Sequence, residues 1–84
     1  MRYLRIIWDL VDDMEGNVRH IAQNGVTPDE VEEVLQAADD EQFSRSSGRP
    51  LVFGYTGTGR LLVVIFEWVD EETVYPVTAY EPEE

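Results

Sequence analysis

Eighty-four residues, 43% apolar and 11% aromatic, are enough for one modest core but short for two domains. There is no cysteine, which excludes a disulfide framework, thiolate metal ligands and a cysteine nucleophile. Six arginines, no lysine and 18 acids leave a net charge of −12, which sets the surface against free DNA, free RNA and anionic membranes at low salt.

Residues 3–8 are aromatic and β-branched and read as a first strand. The opening Met1-Arg2-Tyr3-Leu4-Arg5-Ile6-Ile7-Trp8 meets acid at Asp9 and has no small-residue cleavage site, so it does not read as a signal peptide. No apolar run approaches the roughly 20 residues of a membrane helix. Together with the lack of cysteine, this leads us to expect a cytoplasmic protein.

Val18, Ile21 and Ala22 share a helical stripe, which predicts a helix over 14–23 that stops at Asn24-Gly25. Thr27-Pro28-Asp29-Glu30 is a capping box with proline at the first helical position. Val31, Val34, Leu35 and Ala38 then supply the apolar face of a second helix ending near residue 38. Residues 39–49 are polar, with room for a short strand around Phe43.

Three strands follow, over 51–56, 61–69 and 74–81, joined by a glycine-bearing turn at 57–60 and an acidic turn at 70–73. Leu61 to Phe66 is apolar on both faces, which predicts a central strand covered by helices on one side and by something else on the other. Pro76 marks an edge or a bulge in the last strand. Pro82-Glu83-Glu84 reads as a flexible acidic tail. Strand, helix, helix and then a three-stranded antiparallel meander predict an α+β domain with the helices on one face of the sheet.

Charge is unevenly laid out. Residues 9–43 carry −10 and residues 61–84 carry −7, whereas the window 44–60 holds Arg45, Arg49 and Arg60 and no acid. Arginine suits planar, bidentate contact with phosphate or carboxylate. These three are therefore the candidate anion contacts, unless they pair with the acids elsewhere. The acid pairs Asp12-Asp13, Asp39-Asp40 and Glu71-Glu72 lack calcium-loop spacing and read as solvated faces, so no metal or cofactor is expected. Trp68, flanked by Glu67 and Asp70, suits a protein interface better than a base-stacking platform.

The chain resembles the BrnT-like branch of the RelE superfamily, the small toxins of bacterial toxin–antitoxin pairs. The resemblance rests on Ile7-Trp8-Asp9, Asn17, His20, Asn24-Gly25-Val26-Thr27, and Glu30, Val31, Glu33 and Val34. It continues in Gly59-Arg60-Leu61-Leu62-Val63-Val64 and Val77-Thr78-Ala79-Tyr80-Glu81. It implies an mRNA-cleaving or translation-blocking toxin, held silent by a cognate antitoxin; if active, it is a metal-independent endoribonuclease acting on mRNA on the ribosome. In such chemistry the substrate's 2′-hydroxyl attacks the adjacent phosphorus. That requires a base, cations for the extra phosphate charge and an acid for the leaving oxygen.

On this resemblance the catalytic candidates are Arg60, Tyr80, His20 and Glu81, with Arg45 and Arg49 as substrate-binding cations. Tyr80 stands where the family has arginine. The sequence runs Glu81-Pro82-Glu83-Glu84 where the family usually continues as a basic helix. These departures motivate the alternative, a non-catalytic acidic interaction module that keeps the fold and binds a basic protein partner. An edge strand and Trp68 also permit a homodimer.

Overall fold

The computed structural model describes residues 5–38 and 40–82. In chain order it contains β1 (Arg5–Ile6), α1 (Asn17–Ala22), α2 (Pro28–Ala37), β2 (Gln42–Phe43), β3 (Pro50–Tyr55), β4 (Leu61–Asp70) and β5 (Thr73–Tyr80). The fold is α+β, with one five-stranded mixed sheet in the order β1-β5-β4-β3-β2 and two helices.

β3, β4 and β5 pair antiparallel in succession, but within a five-stranded mixed sheet rather than as a sheet of their own. Gln42 and Phe43 add β2 antiparallel to β3. Arg5 and Ile6 add β1 beside Thr73 and Val74 of β5, and this pairing is parallel. The sequence places the first strand but not its partner, because parallel pairing across the whole chain leaves no local signal. Tyr3 and Leu4 of the expected strand, Asp39, and Glu83 and Glu84 of the expected tail lie outside the described residues.

β4 is central, as its two apolar faces require. On one face Leu62, Val64 and Phe66 join Val52 of β3, Val74 and Ala79 of β5, Ile21 of α1, and Val31, Val34 and Leu35 of α2 in a single buried cluster. The stripe expected for α2 is fully buried, Ala38 included. α2 lies close on β3: a Cβ placed on Gly54 would stand 3.0 Å from the Val34 side chain. The capping box forms as expected, with Thr27 Oγ1 accepting from the Glu30 amide and Glu30 Oε1 accepting from the Thr27 amide. Gly25, at φ 73°, ends the turn after α1 in the left-handed region that glycine tolerates.

Two details depart from expectation. α1 has six residues rather than ten, and its buried positions are Asn17 and Ile21, whereas Ala22 is exposed. The hydrogen bonds of Asn17 set this rotation, so the stripe read through Val18 and Ala22 is displaced. On the far face of the sheet, alternation places Phe53, Tyr55, Leu61, Val63, Ile65 and Tyr80. No helix or strand among the described residues lies on that face. Near Pro76 the ladder slips: Phe66 faces Pro76 while Ile65 faces Thr78, leaving Val77 as the bulged residue. No helix among the described residues is long and apolar enough to cross a membrane.

Candidate functional site

Arg60 is the first candidate to find a place. It follows the 57–59 turn, and its amide donates to Thr56 Oγ1 at 3.1 Å. This turn aims the side chain toward the loop between the helices. There Nη1 donates to the Gly25 carbonyl at 2.8 Å and to both carboxylate oxygens of Glu30, at 3.0 and 3.1 Å. Nε donates to Glu81 just past the end of β5, at 2.5 Å. Three of the five guanidinium N–H groups are therefore engaged.

The Arg60 side chain is 24% exposed and Glu30 only 20%. The hydrogen bonds to Glu81 and Glu30 raise the already high pKa of Arg60. Glu30 lies below the usual carboxylate range, first because the Thr27 amide donates to it and then because Arg60 does, against a partial opposing effect of burial. One carboxylate thus caps α2 and clamps Arg60 at once. The structure brings Arg60 and Glu81 together, in an arrangement where two carboxylates neutralise one guanidinium.

The other candidates stand apart from this clasp. Tyr80 is on β5 opposite Val63, on the far face of the sheet, and is 37% exposed. His20 is exposed on α1, and no hydrogen bond to its ring occurs among the described residues. A general base needs an orienting partner and a nearby proton to take. Arg49 is tied to Glu67 at 2.8 Å with both side chains about half exposed. Arg45 is exposed in the turn between β2 and β3, where Ser44 and Ser46 bond each other and Gly48 closes back onto Ser44. The structure does not gather Arg45, Arg49 and Arg60 around one point. Three surface concavities are lined by Arg5 with residues 70–73, by Trp68 with Asp70 and Glu71, and by the acids of α2 with Gln36. None of the six candidates lines them.

A second polar cluster is not legible as a site in the sequence. Buried Asn17 donates its side-chain amide to the carbonyls of Ile7 and Pro76, each at 3.0 Å, and its Oδ1 accepts from the Asp9 amide at 2.9 Å. Asp9 Oδ2 accepts from the Asn17 amide at 2.9 Å and from the Tyr75 hydroxyl at 2.5 Å. Those donors, Tyr75 first, hold Asp9 below its ordinary value. The same bond, with burial, pushes Tyr75 up to about 12. Asp9 is kept ionised and Tyr75 protonated, so neither is poised to exchange a proton near neutrality. The cluster joins the segment after β1 to α1 and β5. Asp9 and Asn17 were visible only as parts of a resemblance, and nothing in the spacing connects them to Tyr75.

Among the described residues no three His, Asp or Glu side chains are gathered to hold a metal ion. No family model, curated protein or solved structure matches the chain.

Proposed function

We propose that the chain is a RelE/BrnT-like scaffold used for binding rather than catalysis: an acidic interaction module whose partner is a basic protein. The observation that carries this reading is the Arg60 clasp. A cation that stabilises the extra charge on phosphorus must meet the substrate with its charge uncompensated. Arg60 is compensated by Glu30 and Glu81, and Arg49 by Glu67. The net charge of −12 disfavours an RNA substrate and favours a cationic partner.

Affinity capture on the purified chain, from a bacterial lysate at low and then high salt, tests this reading. A basic protein released by salt is expected, together with intact mRNA after incubation with ribosomes. Cleaved mRNA would overturn the reading.

A second reading, a metal-independent endoribonuclease toxin, is favoured by one observation: Arg60 and Glu81 meet at the end of the sheet where Tyr80 also ends β5. It predicts growth arrest on induced expression, relieved by Arg60→Ala. Normal growth with soluble, folded protein would remove it.

A further inference from the structure

We propose that Trp68, Asp70 and Glu71 form a binding site for a guanidinium group, the side chain of an arginine on the basic partner. The proposal rests on the acidic-module reading and gives it a place, at the opposite end of β4 from Arg60.

The end of β4 builds the site. Leu62, Val64 and Phe66 are buried, whereas all four residues from Glu67 to Asp70 are exposed. Trp68 shows 39% of its surface. Its ring is held from two sides. Nε1 donates to Glu41 Oε1 at 2.8 Å, and the ring meets Phe66 edge to face, with centroids 5.8 Å apart and planes at 78°. An aromatic surface is thus offered in a fixed orientation. The ladder slips beside it: Trp68 faces Val74 while Asp70 faces Thr73, leaving Val69 as the extra residue. Bulges of this kind re-aim side chains, and here Asp70 and Glu71 line one concavity with the indole. Asp70 is fixed as well, its Oδ1 accepting from the Glu72 amide at 2.9 Å. That bond first, and then the Thr73 side chain, hold its carboxyl below the ordinary value, so it is ionised at neutral pH.

Local charge and the ring together select the ligand. Around this turn Glu41, Asp70, Glu71 and Glu72 outnumber Arg5, the cation that lines the adjoining concavity. Arg49, further back along the strand, is paired with Glu67. An apolar occupant would bury the two carboxylates without a partner, which is costly. A divalent metal ion needs several oxygen ligands, and among the described residues no three acids are gathered to hold one. A guanidinium suits both parts of the site: its plane stacks on an indole and its N–H groups donate to a carboxylate.

Full-length, isotopically labelled chain would be titrated by NMR at low salt with Nα-acetyl-arginine amide. Nα-acetyl-citrulline amide, of the same shape without the charge, is the control. The expected result is shifts at the Trp68 indole N–H and at the amides of Val69, Asp70 and Glu71, with the Trp8 indole N–H unmoved. Binding of the citrulline probe is expected to be about five-fold weaker, and Trp68→Leu is expected to abolish binding of the arginine probe. Because Trp68 packs on Phe66, Glu71→Gln at an exposed position serves as the second variant, with binding about two-fold weaker expected.

Equal binding of both probes, or shifts confined to the acids of α2, would overturn the site and leave the basic-partner reading standing. A folded Trp68→Leu chain that captures the same basic protein as the wild type would do the same. Uptake of the arginine probe at Trp68, with no basic protein captured by the wild type, would overturn the partner and leave the guanidinium site.

Discussion

Two polar clusters tie this small fold together at the two ends of α1, and they work differently. Around Asn17, a buried neutral amide joins the segment after β1 to α1 and β5 through directional bonds to backbone groups. Around Arg60, a half-buried cation joins the loop after α1, the first turn of α2 and the end of β5 through charge. The first cluster is centred on a buried side chain, Asn17, with Asp9 and Tyr75 half-buried at its edge, and no buried side-chain polar atom among the described residues is left unpaired. The second is open to solvent on its Glu81 side, where the carboxylate side chain is 57% exposed. Where the missing group is itself buried, its partners lose their hydrogen bonds with little room for water, whereas water and salt cushion a loss at the open cluster.

The sharpest break in this comparison is Asn17→Ala. It strands the Ile7 and Pro76 carbonyls and the Asp9 amide, and a cost of ~3 kcal/mol is expected. For a domain of this size that is a fall in melting temperature of about 12–20 °C by calorimetry. A fall under about 4 °C would mean that water takes the place of the amide. Gly16→Ala comes next. The new Cβ would stand 2.6 Å from the Asp9 Cβ, so Asp9 must move off the start of α1. Overpacking of this kind costs ~2 kcal/mol.

Tyr75→Phe is milder under neutral conditions and shows itself in alkali. Folding raises this hydroxyl from 10.0 to about 12. Its contribution is therefore complete below pH 10 and is lost as pH rises through about 12. Ultraviolet titration of the four tyrosines of the wild type is expected to show one late component, absent in the variant. If all four titrate together near 10, the bond to Asp9 does not persist in solution.

What the sequence made legible follows the range of the interaction. The capping box needs only residues 27–30, so Glu30 could be read as a cap. Its second role, holding Arg60, depends on a contact thirty residues away and has no local sign. The apolar run of β4 announced a central strand, but the parallel pairing of β1 with β5 joins the two ends of the chain. The arginines of 44–60 read as a positive window because their acids lie outside it. The fold returns Glu67 to Arg49 and Glu81 to Arg60, so two of the window's three arginines are paired with acids. The stripe through Val18 and Ala22 was misplaced for a related reason: hydrophobic periodicity sees only apolar residues, and the buried residue at the start of α1 is the polar Asn17.

The smallest expected effect is at the clasp. Arg60→Ala leaves the capping box in place, so helix α2 keeps its start, while Glu30 and Glu81 lose the cation between them. A melting temperature lower by about 4 °C is expected at low salt, shrinking to about 1 °C in 1 M salt, where charges are screened within about 3 Å. Asn17→Ala should keep its full deficit in both conditions, which separates the two clusters in one experiment. Acid adds a second axis. The lowered Glu30 contributes stability that is complete above the ordinary carboxylate range and is lost as pH falls below it. Glu30→Gln keeps the capping geometry and removes the charge. It should therefore match Arg60→Ala in its salt response while flattening the acid limb of the stability curve. A Glu30→Gln variant as salt-dependent and acid-sensitive as wild type would move the clasp's work to Glu81, and the half-buried carboxylate would be a cap and nothing more.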